Sequence, residues 1–197
     1  MEPDRVMHLA RDLGFLRVKD LLERELHPET LRRLCRRGLL ERMGRGLYRL
    51  SGAEVSAHIT LAAVAKRIPH AVVCLLSALR FHGLGTQNPP DVWIALRNRA
   101  ASPRGKDLPL RVVRFSDTAF ASGTEEHVIE GVHVRVTCPA KTVVDCFKFR
   151  NKTGLDVALE ALREGLRTRK CAMDDLWKYA RICRVANVMR PYLEAIG

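Results

Sequence analysis

The sequence predicts an α+β fold in two parts, and three observations predict it. Apolar residues recur at helical spacing through residues 4–37, and again from residue 138 to the end of the chain. Short apolar or alternating runs at 39–50, 92–96, 110–115 and 126–136 read as strands, two pairs of them joined by glycine-bearing turns. Ser51-Gly52-Ala53 breaks the first pattern. It places a boundary between a small part, residues 1–52, and a larger one, residues 53–197, whose small and mainly antiparallel sheet ends in a helical C-terminus.

The totals narrow the class. Of 197 residues, 47% are hydrophobic and 28% charged, the balance of an ordinary globular protein. The longest apolar runs, Ala71 to Leu76 and Leu61 to Ala65, fall far short of the roughly 20 residues of a bilayer helix. Met1-Glu2-Pro3-Asp4 is acidic, so the start does not read as a signal peptide. Cysteines 35, 74, 138, 146, 171 and 183 form no Cys-x-x-Cys pair and read as reduced thiols of a cytoplasmic protein. A net charge of +12 favours polyanionic partners, nucleic acid above all.

Asp4 to Leu13 reads as a helix with Val6, Leu9, Ala10 and Leu13 on one face and Gly14 as its stop. Val18 to Arg24 makes a second helix, with Val18, Leu21 and Leu22 inward and Leu26 in the following turn. Pro28 suits the first position of a third helix, which Gly38 ends. On that helix Leu31, Leu34 and Cys35 share an inward stripe, Glu29, Arg33 and Arg36 lie opposite, and Arg32 and Arg37 flank them. Arginines on one side of a short helix are what a major-groove reader requires. N-terminal side chains such as Glu29 and Thr30 meet base edges, while the flanking arginines neutralise phosphates. Residues 39–50 then form two short strands around Gly44 and Gly46, with Arg45 at the tip and Arg42 and Arg49 on the strands. A basic helix followed at once by a basic hairpin is a winged helix-turn-helix, and double-stranded DNA is the partner it predicts.

Leu31-Arg32-Arg33-Leu34, Arg37-Gly38 and Arg45-Gly46-x-Tyr48 also resemble the N-terminal domain of AbiEi-type antitoxins from type IV toxin–antitoxin systems. In one respect the chain departs from that pattern: Glu25 stands in the inter-helix turn that usually carries glycine.

In the larger part, Ser56 caps a helix over 57–67 that Pro69 closes, and the apolar run 71–76 leads into a helix ending at Gly83. This block resembles the AbiEi family too, although the Ser-His pair that commonly precedes Ser-Ala-Leu is here Cys74-Leu75. His82 reads as a packed or capping histidine, since no base or nucleophile lies near it in sequence. Between the strands 92–96 and 110–115, residues 97–106 carry four basic residues and no acid, and read as a mobile basic loop. A two-residue turn at Glu130-Gly131 pairs Ile129 with Val132, so Ile129, Val132, Val134 and Val136 make one apolar face. His127 and His133 then point to opposite sides, and no metal site is expected.

Cys138-Pro139 opens a helix with Ala140, Val143, Val144 and Phe147 inward and Lys141 and Asp145 four apart on another face; Cys138 reads as a buried structural thiol. Pro139-Ala140-Lys141-Thr142, followed by Asp145, resembles a motif of AbiEi C-terminal domains. With Ser77 these residues are the candidate antitoxin-domain motif, although Thr142 and Asp145 equally read as ties from this helix to the sheet. Amphipathic helices at 155–167, 173–183 and 188–196 complete the chain.

The resemblance implies a DNA-binding antitoxin that represses its own operon at inverted repeats in the promoter. It also implies opposition to a nucleotidyltransferase-like toxin, by contact or indirectly. The alternative is a winged-helix regulator without a toxin, whose second part senses a ligand or oligomerises. An enzyme is disfavoured. Pro90-Asp91 suggests half a nuclease motif, but Asp145-Cys146-Phe147-Lys148 has one residue too many for the other half, and no phosphate-binding loop or nucleophile elbow is present. No cofactor is expected.

Overall fold

The computed structural model describes residues 2–44, 46–52, 58–103 and 109–196. Two compact units are present: residues up to Pro69 with His127–Val134 form the first, and His70–Pro103, Pro109–Glu126 and the chain from Arg135 onward form the second.

The first unit runs α1 (Glu2–Leu13), β1 (Phe15–Arg17), α2 (Val18–Leu22), α3 (Glu29–Arg36), β2 (Leu40–Gly44), β3 (Leu47–Leu50) and α4 (Ile59–Arg67). The first three helices turn Val6, Ala10, Leu21, Leu31 and Leu34 into one core with Leu16, Leu40 and Tyr48. The strands form an antiparallel sheet in the order β1-β3-β2, the sheet of a winged helix. β1 has no counterpart in the strand pattern of the sequence. Both Phe15 and Leu16 are buried, so the strand has neither the length nor the alternation that marks one in sequence. β1 and α2 are joined through the Asp20 carboxylate, which accepts the Arg17 backbone N–H at 2.8 Å and its guanidinium at 3.1 Å. Lys66 of α4 reaches the same carboxylate at 3.4 Å, and Arg17 donates to the Lys66 carbonyl at 3.0 Å. These bonds tie α4 to the winged helix, which is why the first compact unit runs past residue 52. The Ser56 cap expected for α4 lies outside the described residues.

The second unit contains β4 (Val72–Val73), α5 (Leu75–His82), β5 (Val92–Arg97), β6 (Leu110–Phe115) and α6 (Asp117–Ala121). The hairpin β7 (Thr124–Ile129) and β8 (Val132–Thr137) follows in the chain, its tip, His127–Val134, belonging to the first unit. After it come α7 (Pro139–Lys148), α8 (Arg150–Thr153), α9 (Leu155–Arg167), α10 (Met173–Ile182) and α11 (Ala186–Glu194). The α+β class holds. The five-stranded sheet has the order β6-β5-β4-β8-β7, and it is mixed: β5–β6 and β4–β8 run parallel, β4–β5 antiparallel. The hairpin turn is as the sequence predicts, with Glu130 and Gly131 both at positive φ (51° and 70°) and Ile129, Val132, Val134 and Val136 buried.

The parallel β5–β6 pair needs a long connection, and residues 98–109 supply it. Its first half, expected as a mobile loop, is bonded to the neighbouring strand β6 through Arg114. The Arg114 guanidinium donates to the carbonyls of Arg97 (3.1 Å) and Ala100 (2.7 Å) and to the Ser102 hydroxyl (2.8 Å). Arg104 and Lys106 of the same loop lie outside the described residues. α7 is the central helix, packed on α5, α9 and α10, and every residue from Ala140 to Phe147 is buried.

Candidate nucleic-acid interface

α3 is one-sided, as its sequence demands. Leu31 and Leu34 are buried, while Glu29, Arg32, Arg33, Arg36 and Arg37 are exposed, so four guanidinium groups stand on its outer surface. Arg32 meets Glu29 at 3.4 Å, but both side chains are at least half exposed. An exposed pair of that kind is worth about 0.2–1 kcal/mol and exchanges readily for a phosphate or base contact. On the wing Arg42 is exposed, and its Nε donates to the Gly44 carbonyl at 3.0 Å beside the register shift between Arg42 and Gly44. Arg45, expected at the tip, lies outside the described residues.

Two of the expected contact residues belong to the packing instead. Thr30 is buried, and its hydroxyl donates to Glu2 at 3.2 Å, so it cannot also meet a base edge. Arg49 occupies the central strand β3, is only 8% exposed, and donates to Glu41, its cross-strand partner on β2. An arginine on the middle strand is enclosed by both neighbours. Alternation alone does not say which of two hairpin strands a third one will cover.

The support of α3 rests partly on residues that the sequence did not mark. Glu2, in the first turn of α1, accepts the His27 backbone N–H at 2.6 Å as well as the Thr30 hydroxyl. The His27 N–H, with Thr30 and the positive field of Arg33, holds the Glu2 carboxyl below the usual glutamate range. It therefore braces the turn that leads into α3. That turn also contains Glu25, at φ 57°, where the resemblance led one to expect glycine. Asp20 shows the balance of opposing causes: burial pushes its carboxyl up, but the hydrogen bonds from Arg17 and the Lys66 charge pull it below the ordinary aspartate range.

The four motif residues of the second unit are all buried. Ser77 on α5 accepts the Trp93 backbone N–H at 2.9 Å. Thr142 shares a 2.7 Å hydroxyl contact with Thr137 and donates to the Cys138 carbonyl at 2.9 Å. Lys141 and Asp145, expected on a separate face, form an ion pair at 2.5 and 2.6 Å with both side chains essentially sealed from solvent. The Lys141 ammonium also lies 4.4 Å from the Phe115 ring centre, and the Cys183 thiol donates to Asp145. Burial pushes the Asp145 carboxyl up, against the pull of Lys141. This quartet stitches α5 and α7 to the sheet and presents no charge outward. Cys138, expected to be buried, is half-buried, and burial pushes its thiol up. His82 is packed, with Nε2 2.7 Å from the Thr137 carbonyl. No helix among the described residues is long and apolar enough to cross a membrane.

Residues 4–51 match the family described as transcriptional regulator, AbiEi antitoxin. No curated protein matches the chain. Among solved structures, the crystal structure of the RV2827C protein from Mycobacterium tuberculosis superposes with a TM-score of 0.63 over 91% of this chain and 71% of that one. At 19% identity that likeness shows a shared fold.

Proposed function

We propose, from the match of residues 4–51 to the AbiEi antitoxin family of transcriptional regulators, that the chain is a DNA-binding antitoxin that represses its own toxin–antitoxin operon. The observation that carries the reading is the outer surface of α3, where Arg32, Arg33, Arg36 and Arg37 are exposed above a sealed Leu31/Leu34 face. In the major groove the N-terminal half of such a helix reads bases, and the flanking arginines and Arg42 of the wing hold the backbone. Inverted repeats in the promoter are the expected operator. The second unit, with its own sheet and helices, is assigned the antitoxin role against a nucleotidyltransferase-like toxin. These are activities of a regulator, and no catalytic step is proposed.

A gel shift of the chain on its own upstream DNA, with random duplex as competitor, tests the first half. Co-expression with the neighbouring gene tests the second: the chain should restore growth that the neighbour arrests. Failure to prefer upstream DNA sinks the repressor reading, and an innocuous neighbour sinks the antitoxin one.

A further inference from the structure

The second unit holds a cleft of about 430 Å³ that DNA binding leaves unused. It opens where the end of β6, the start of α6, the last turn of α7 and the α10–α11 junction meet. Asp145 lines it, with its charge already held by Lys141. Lys148 and Arg184 stand on its walls, both exposed and without an ion pair among the described residues. Asn98, Ser116 and Thr118 add neutral donors, and the Arg114 bonds described above hold the Asn98 loop in place.

The size falls within the roughly 300–1,000 Å³ of small-molecule sites. The donors outnumber the acceptors, because the one carboxylate is neutralised. The local field is therefore positive, and Lys148 and Arg184 carry it at the exposed mouth of the cleft. A carboxylate is satisfied by one forked guanidinium, whereas separate cations and hydroxyls arriving from α6, α7 and the α10–α11 junction suit a tetrahedral group with several acceptor oxygens.

We propose that this cleft binds a small phosphorylated metabolite, its phosphate held by Lys148 and Arg184 and its polar remainder by Asn98, Ser116 and Thr118. The inference goes beyond promoter binding, since it gives the second unit a ligand of its own.

Calorimetric titration of the full chain with pyrophosphate, ATP and citrate tests it. Pyrophosphate or ATP should bind at one per chain and more tightly than citrate. Arg33→Ala/Arg36→Ala should leave that binding unchanged. Lys148→Glu/Arg184→Glu should weaken it by about tenfold or more, one charge-assisted contact being worth at least that factor. The unliganded melting temperature of the reversed variant shows whether it folds, and the milder Lys148→Gln/Arg184→Gln should give an intermediate loss. Each of these results overturns the proposal: no binding of either phosphate probe, equal binding by the reversed variant, or citrate binding as tightly as pyrophosphate. Loss of phosphate binding in the α3 variant also overturns it, by tracing the effect to general attraction toward the basic helix. Promoter binding is measured separately, so failure of the cleft and failure of the repressor reading are distinguishable.

Discussion

At the scale of single residues, the arginines of α3 divide by position. Arg33 points away from the Leu31/Leu34 face and is exposed, the placement of a base reader. Arg33→Ala should cost about 1–3 kcal/mol on promoter DNA and much less on random duplex. Arg37, at the end of the helix, should weaken both alike. Fluorescence anisotropy on the two DNAs separates these outcomes, and equal losses for Arg33→Ala would assign it to phosphate. Glu25 offers a stability test in the same module. A side chain held at φ 57° costs about 1 kcal/mol relative to glycine, so Glu25→Gly should raise the urea midpoint by a corresponding amount. No change would mean that the glutamate side chain has contacts that offset its backbone strain.

At the scale of elements, two buried carboxylates behave differently. Asp20 joins β1, α2 and α4, and its folded-state value lies below the ordinary one. A depressed carboxyl contributes stability that is complete above its unfolded value, about pH 4, and is lost as pH falls through the folded value. Asp20→Asn should therefore lower stability at neutral pH and flatten the fall in urea midpoint below about pH 4. An unchanged acid profile would remove Asp20 from that role. On α7 the Lys141–Asp145 pair is sealed in the core, so charge reversal there tests folding rather than a surface. Lys141→Met leaves Asp145 unpaired and should cost about 3–5 kcal/mol, whereas Lys141→Met with Asp145→Leu should recover most of it. Urea denaturation distinguishes the two. If the single variant is as stable as the parent, the pair is not what pins α7.

At the scale of the molecule, the net charge of +12 means that cations far from α3 also attract DNA. Specific readout must then appear as a difference between variants. Arg33→Ala/Arg36→Ala should abolish the promoter shift and make the salt dependence shallower by about one unit per lost phosphate contact. On the proposed antitoxin role, the same variant should still restore growth that the neighbouring gene arrests, because both substitutions lie in the first unit. Loss of protection together with the shift would tie antitoxicity to repression.

The elements legible in the sequence were those whose evidence is local. The faces of α1, α3 and α9 follow from apolar spacing, and the 126–136 hairpin follows from a two-residue turn that admits one register. The outward arginines of α3 belong to the same class, since a ten-residue window contains everything that orients them. β1, α6 and α8 span only three to five residues each, too few to show a period. Tertiary structure decided the rest, because the deciding partner lies far along the chain. Glu2 meets residues 27 and 30, Asp20 meets Lys66, and β5 lies parallel to β6 rather than turning back on itself. Burial is decided in the same way. Arg49 is enclosed because β1 and β2 flank its strand, and Lys141 and Asp145 because α7 is surrounded by other elements. A charged residue's own neighbours in sequence record its helix face; whether that face meets water depends on what folds over it.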